Sequence, residues 1–156
     1  MISITSWMSK VVAIAGNPVI KQKSFENIDL LIRDLGPWLA MVRSELRDTP
    51  FGIDFAPWIR RLIQNKINPS IENIKKIQVQ IGILRRIKFA EKEVEDVSDL
   101  VDNLLIDLAI TKHKLEEVKS RVLATAQVHI LVKKNMNPIL QKYRQIKKKL
   151  ENLAKE

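Results

Sequence analysis

The side chains that could support catalysis are few and poorly spaced for it. His113 and His129 are the two histidines, and the chain contains no cysteine. Zinc sites and thiol chemistry need these residue types in tighter groups, and a disulfide scaffold needs cysteine. Acidic pairs such as Asp99 with Asp102 could hold Mg²⁺, but they lie in a run of charges that is typical of a solvated helical face. We therefore expect no catalytic residue, no metal site and no cofactor.

The chemistry that the sequence does offer is phosphate binding by cationic side chains. Lys75, Gln78, Gly82 and Arg86 are spaced by three, four and four residues, which places them on one face of a helix. Such a face can hold backbone phosphates without reading any base. The candidate contacts form three clusters, which would make one track if their helices pack side by side. The first is Lys75, Lys76, Gln78, Arg85, Arg86 and Lys88, the second is Lys133 and Lys134, and the third is Arg144, Lys147, Lys148 and Lys149. The alternative for each cluster is an ordinary solvated face.

The overall charge favours an anionic partner. The chain carries 27 Lys and Arg against 18 Asp and Glu, a net charge of +9. An excess of this size favours nucleic acid or an anionic membrane surface, the alternative being a charge that serves solubility. The longest uncharged run, residues 11–20, is shorter than the roughly 20 residues that a spanning helix needs. We expect no transmembrane segment, no secretory signal, and a cytoplasmic protein.

The charge reverses abruptly near residue 90. Residues 57–90 contain eight bases and one acid, whereas residues 91–107 contain one base and seven acids. The helix macrodipole favours acids in the first turn of a helix and bases in the last turn. We therefore predict that one helix ends after Arg85 and Arg86, that a junction lies at 88–92, and that a new helix runs from about Glu91 to about Lys134.

From Val94 onward, apolar positions recur in alternating steps of three and four. They are Val94, Val97, Val101, Leu104, Leu108, Thr111, Leu115, Val118, Val122, Thr125, His129, Val132, Met136, Ile139, Tyr143, Ile146, Leu150 and Leu153. This heptad pattern predicts long, antiparallel, coiled-coil-like helices over 70–154, with Ser70 as the first N-cap. His129 is expected in the core or at an interface. A break in the pattern is expected at residues 84–94, and a helix break at Asn135–Pro138.

Glycine and proline are expected to divide the first 67 residues into short helices. Gly16–Pro18, Gly36–Pro37 and Asn68–Ser70 are the predicted boundaries, with Ser24 as an N-cap and residues 48–57 as a loop. No strand pattern is present, so the predicted fold is an all-α helical bundle. We expect a single domain over 1–156, with short helices in 1–67 and a long-helix bundle in 70–154. A DNA-reading helix-turn-helix over 57–90 is a weaker alternative, since its turn lacks the usual glycine.

Residues 2–15 have the pattern of an amphipathic helix. Ile4, Trp7 and Met8 would share its apolar face, opposite a serine-rich polar face with one lysine. Such a helix could insert into a membrane surface or dock on the core of its own protein.

These features favour a non-catalytic, basic helical bundle that binds a nucleic-acid backbone, DNA or RNA, within a larger assembly. In kind, though without a shared motif, the chain resembles the small helical subunits of CRISPR effector complexes and the helical coat proteins of filamentous viruses. Protein partners or self-association would use the heptad helices and the complementary charge blocks. The alternative is a coiled-coil adaptor or membrane-surface bundle with no nucleic-acid role.

Overall fold

Four long helices account for the fold. The computed structural model describes residues 17–48, 55–118 and 121–155, and no strand occurs in those ranges. Helix α1 is Asn17–Arg47 and helix α3 is Glu91–Glu116. Helix α2 (residues 55–86) comprises Phe55–Leu62, a π-helical turn at Ile63–Ile67, and Asn68–Arg86. Helix α4 (residues 121–154) comprises Arg121–Leu131, a π-helical turn at Val132–Met136, and Asn137–Ala154. The predicted all-α helical bundle is confirmed.

The helices form a closed antiparallel arrangement around one apolar core. Helix α1 packs against α2 and α4, and α3 packs against the same two helices, so α2 and α4 lie at opposite corners. Leu35, Leu39, Ile74, Leu108 and Met136 are all completely buried between them. Full burial of each such side chain contributes about 1.5–3 kcal/mol, so this core is the main source of stability.

Helix α1 continues through Gly36 and Pro37, which corrects the prediction of separate helices on either side of this pair. Pro37 has no backbone N–H, so the carbonyl of Arg33 loses its usual donor. The neighbouring carbonyl of Ile32 accepts a hydrogen bond from the Tyr143 hydroxyl at 2.9 Å. Burial along the whole helix outweighs the local cost of the proline. Ser24 is buried inside α1 and is not its N-cap.

The Asn-Pro pairs in α2 and α4 also leave their helices unbroken. The N–H of Asn68 donates to the carbonyl of Ile63, and the N–H of Asn137 donates to that of Val132. These π-helical bonds directly precede each proline, whose missing N–H is thereby accommodated inside a continuous helix. The predicted breaks at Asn68–Ser70 and Asn135–Pro138 are therefore wrong, and so is a helix-turn-helix over 57–90. Ser70 is likewise no cap, since its buried hydroxyl donates to the carbonyl of Lys66 at 2.6 Å.

The charge reversal coincides with a junction, as predicted. Helix α2 ends at Arg86 and α3 begins at Glu91. Lys88 and Ala90 reverse the chain direction with left-handed φ angles of 55° and 42°. The far end of α3 was predicted wrongly, because the helix ends at Glu116 and not near Lys134.

His129 is exposed and the preceding Val128 is buried, so the predicted core histidine is also wrong. Two further predictions concern residues beyond the described ranges: the amphipathic helix over 2–15, and the central part of the loop at 48–57.

The bundle consists of two copies of one helical hairpin, spaced by 69 residues. Pro138 lies 69 residues after Pro69, and each follows a π-helical turn and an asparagine. The same spacing relates the last residues of α1 and α3, Arg47 and Glu116. Buried positions correspond in the same way: Ile28 with Val97, Ile32 with Val101, Leu35 with Leu104, Leu39 with Leu108, Val42 with Thr111, Leu46 with Leu115, Ile59 with Val128, Leu62 with Leu131, Ile63 with Val132, Ile67 with Met136, Ser70 with Ile139, Ile77 with Ile146, Ile81 with Leu150, and Leu84 with Leu153. A pseudo-twofold axis along the bundle therefore relates α1 to α3 and α2 to α4.

Candidate nucleic-acid interface

Charge is segregated by helix. Helix α2 has seven bases and one acid, and α4 has eight bases and one acid. Helix α3 has three bases and eight acids, whereas α1 is nearly balanced with five bases and four acids. Two basic helices at opposite corners are thus separated by an acidic helix on one side and a nearly neutral helix on the other.

The first predicted cluster divides into free and engaged side chains. Lys75, Lys76, Arg86 and Lys88 are exposed along the C-terminal half of α2 and its junction. Lys75 forms an ion pair at 3.5 Å with Glu72 one turn earlier.

The other two members of the first cluster face α3. The Gln78 side-chain amide donates to Asp102 at 2.7 Å, and Arg85 forms an ion pair with Glu95 at 3.1 Å. Gln78 is therefore an interhelical contact. Arg85, with about half of its side chain exposed, shares its charge with α3.

The second and third clusters are wholly exposed on α4. Their members are Lys133, Lys134, Arg144, Lys147, Lys148 and Lys149. Because α4 lies diagonally opposite α2, the three clusters do not form a track on adjacent helices.

The hairpin repeat shows that the first and third clusters are the same surface in two copies. Lys75 corresponds to Arg144, and Gln78 corresponds to Lys147, each 69 residues later. A sequence comparison anchored on the two Asn-Pro pairs would have revealed this relation.

Two equivalent seams between helices follow from the repeat, and they differ in chemistry. We define the α2–α3 seam by the Gln78–Asp102 and Arg85–Glu95 contacts across it. The α4–α1 seam has Lys147 and Arg33 at the first pair of positions, and Ala154 and Glu26 at the second. Neither of these pairs reproduces the contact that closes the α2–α3 seam.

An open cleft lies in the α4–α1 seam. Its volume is about 530 Å³. Apolar residues from both helices line it: Phe25, Ile28, Ile32, Leu150 and Ala154. Lys21 and Lys147 contribute cations to the lining, and Glu26, Asp29 and Glu151 contribute carboxylates. Phe25 is fixed by an edge-to-face contact with Phe89, whose ring centroid is 5.9 Å away, and the Lys21 ammonium lies 4.6 Å from the centroid of the Phe89 ring.

Tyr143 anchors the middle of the α4–α1 seam. Its hydroxyl donates to Ile32, and its ring occupies the space that a side chain at Gly36 would need. Burial raises the pKa of Tyr143 above 10.0, and the negative charge of Glu151 raises it further. The phenol consequently remains protonated, and able to donate, over the physiological pH range.

The sequence analysis did not single out Arg33 or Lys21 as candidate ligands, because each lies in a segment with balanced charge. Arg33 is exposed and pairs with Asp29 on its own helix at 2.8 Å. Only the packing of α1 against α4 brings Arg33 to the same seam as Lys147.

Within residues 17–48, 55–118 and 121–155, no group of three or more His, Asp or Glu side chains is placed to hold a metal ion. No helix in those same ranges is long and apolar enough to cross a bilayer. No protein-family model, curated protein or solved structure matches the chain.

Proposed function

We propose that this protein is a non-catalytic helical-bundle subunit that binds the backbone of a nucleic acid, without sequence preference, inside a larger cytoplasmic nucleoprotein assembly. The observation that carries the proposal is the segregation of charge onto α2 and α4. Exposed lysines and arginines on these helices can bind phosphates and release their counterions, which supplies most of the affinity in sequence-independent binding.

The charge layout also indicates which side of the bundle a polyanion would approach. On the α3 side, Glu91, Glu93, Asp96 and Asp99 are exposed and would repel phosphates. On the α1 side, the charge of the intervening helix is nearly balanced. We expect the nucleic acid to lie along the α1 side, between the basic surfaces of α4 and α2.

The acidic face of α3 would then be available for a protein neighbour. Its charges are partly neutralised within the chain, because Glu95 pairs with Arg85 and Asp107 pairs with Lys142. The exposed carboxylates near the start of α3 could meet the basic surface of a second copy or of another subunit, as complementary charge blocks do in assemblies.

A salt titration tests the proposed function. Fluorescence anisotropy would measure binding of labelled oligonucleotides of unrelated sequence at several salt concentrations. With about five phosphate contacts to a single strand, the affinity should fall about 100-fold between 50 and 200 mM salt. Equal affinities for unrelated sequences are expected. The absence of binding at 50 mM salt would refute the proposal.

A second candidate function is a protein adaptor without a nucleic-acid role. It is favoured by exposed apolar side chains on the outer face of α3, where Ile106 is 55% and Ile110 is 43% exposed. Light scattering combined with the anisotropy titration separates the two functions. An adaptor would associate with protein, through this face, without binding oligonucleotides.

A further inference from the structure

The α4–α1 seam contains a like-charge pair where its equivalent contains a hydrogen bond. Gln78 and Asp102 bridge the α2–α3 seam at 2.7 Å, and their equivalents are Lys147 and Arg33. Two cations at such positions repel one another, so this pair cannot close the seam. A phosphate group between them would remove the repulsion.

The second pair of positions leaves the seam open. Arg85 bridges to Glu95 at 3.1 Å, but the equivalent of Arg85 is Ala154, which is too short to reach Glu26. Ala154 instead lines the cleft of about 530 Å³ together with Phe25 and Leu150. The repeat therefore shows what a closed seam looks like in this fold, and it shows that the α4–α1 seam departs from it at both positions.

The lining of the cleft suits a neutral, flat group better than a phosphate. Its floor is apolar, and its carboxylates Glu26, Asp29 and Glu151 would repel an anion that entered deeply. The same carboxylates can accept hydrogen bonds from the exocyclic amino groups of a base. Cations lie at the edge and on the exposed surface of α4, where Arg144, Lys147 and Lys148 can hold phosphates.

We propose that the α4–α1 seam is a binding site for single-stranded nucleic acid, in which an unstacked base enters the cleft and the flanking phosphates contact Arg33, Arg144 and Lys147. This inference rests on the proposed function and adds to it the strandedness of the ligand and the place where it binds. Single strands are favoured because the bases of a duplex are stacked and cannot enter the cleft without being extruded.

The repeat supplies a matched control for the site. Arg144→Glu changes the α4–α1 seam, and Lys75→Glu makes the corresponding charge reversal 69 residues earlier on α2. Both side chains are exposed, so neither substitution should alter folding. Ala154→Phe fills the cleft without a change in charge. Circular dichroism and thermal melting of each variant verify that the bundle is intact.

The test measures the anisotropy of labelled 12-residue RNA and DNA single strands and of the matching DNA duplex at 50 mM salt. Arg144→Glu should weaken single-strand binding about tenfold more than Lys75→Glu does. Ala154→Phe should weaken single-strand binding about tenfold and leave duplex binding unchanged.

Several outcomes would overturn the inference, and they can be told apart. Equal losses for Arg144→Glu and Lys75→Glu would mean that the protein binds nucleic acid elsewhere, which leaves the proposed function standing. Unchanged single-strand binding by Ala154→Phe would show that no base occupies the cleft. If that variant also has a lower melting temperature, the cleft is filled by the protein's own residues 1–16. Binding to anionic vesicles but to no oligonucleotide would overturn the proposed function as well.

Discussion

Replacing Gly36 by alanine should destabilise the bundle, although alanine is the better helix former. A Cβ atom at this position would lie 2.9 Å from Tyr143 Cζ and would overlap the hydroxyl. The ring would have to move, at a cost of about 1–3 kcal/mol for an overpacked site. Its 2.9 Å hydrogen bond to Ile32 would weaken, at a cost of about 0.5–1.5 kcal/mol. The gain in helix propensity offsets only about 1 kcal/mol of this. We expect a net loss of about 1–2 kcal/mol in the free energy of unfolding.

Gly82 provides the matched control. It also lies inside a helix, but a Cβ atom there would meet nothing within 4 Å. Gly82→Ala should therefore stabilise the protein by about 0.5–1 kcal/mol. Urea denaturation gives both free energies, and thermal melting should separate the two variants by about 5–10 °C in a chain of this size. In a Tyr143→Ala background the cost of Gly36→Ala should shrink, because the overlapping ring is gone. If Gly36→Ala stabilises the protein as much as Gly82→Ala does, then Tyr143 does not pack against α1 as described.

Three further predictions follow from single contacts. Because the pKa of Tyr143 is raised, the neutral phenol's contribution to stability is complete below pH 10.0 and is lost as the pH rises through the higher folded-state value. Tyr143→Phe should lower the free energy of unfolding at neutral pH by about 0.5–1.5 kcal/mol, and it should remove this residue's share of the alkaline loss. Denaturation curves at pH 7 to 11 test both effects, and identical alkaline behaviour of the two proteins would contradict the assignment. Thr111→Val should leave the free energy of unfolding unchanged or raise it by up to about 1 kcal/mol, because the buried hydroxyl bonds only to the carbonyl of Asp107 in its own helix and valine occupies the equivalent position 42. A loss above that size in urea would show that the hydroxyl does more. Arg86→Glu should weaken oligonucleotide binding without changing the melting temperature, whereas Arg85→Glu should lower both, because it places an acid against Glu95. Equal melting temperatures for the two variants would mean that the Arg85–Glu95 pair contributes nothing.

The sequence predicts those helices best in which burial is regular. The heptad positions from Val94 to Leu115 are buried, apart from none, because a single helix face meets a continuous core. The pattern was then extended across the end of α3, where a new helix begins with its own register. The prediction for His129 failed for this reason, since the buried position is Val128.

Proline was given too much weight as a boundary. Pro37, Pro69 and Pro138 all lie inside continuous helices. The local cost of a proline is about 3 kcal/mol, which the burial of two or three large apolar side chains can offset. The π-helical turns before Pro69 and Pro138 show how the backbone adapts. Local rules describe each proline in isolation and cannot account for the packing on both sides of it.

The candidate site was predictable as a set of cations but not as a surface. All of its lysines and arginines are exposed, yet the sequence alone could not show that α2 and α4 lie at opposite corners. Nor could it show that Gln78 and Arg85 face α3, or that Arg33 shares a seam with Lys147. These relations depend on which helices pack together, and hydrophobic periodicity leaves that choice open.

Chemical-shift mapping by NMR tests the central claim most directly. An unlabelled 12-residue single strand would be added to ¹⁵N-labelled protein at 50 mM salt. We predict that backbone amide signals shift in residues 25–36 of α1 and 143–154 of α4, and that those of residues 91–107 in α3 do not. Shifts confined to α3, or no shifts at saturating oligonucleotide, would contradict the claim that the basic side of this bundle binds nucleic acid.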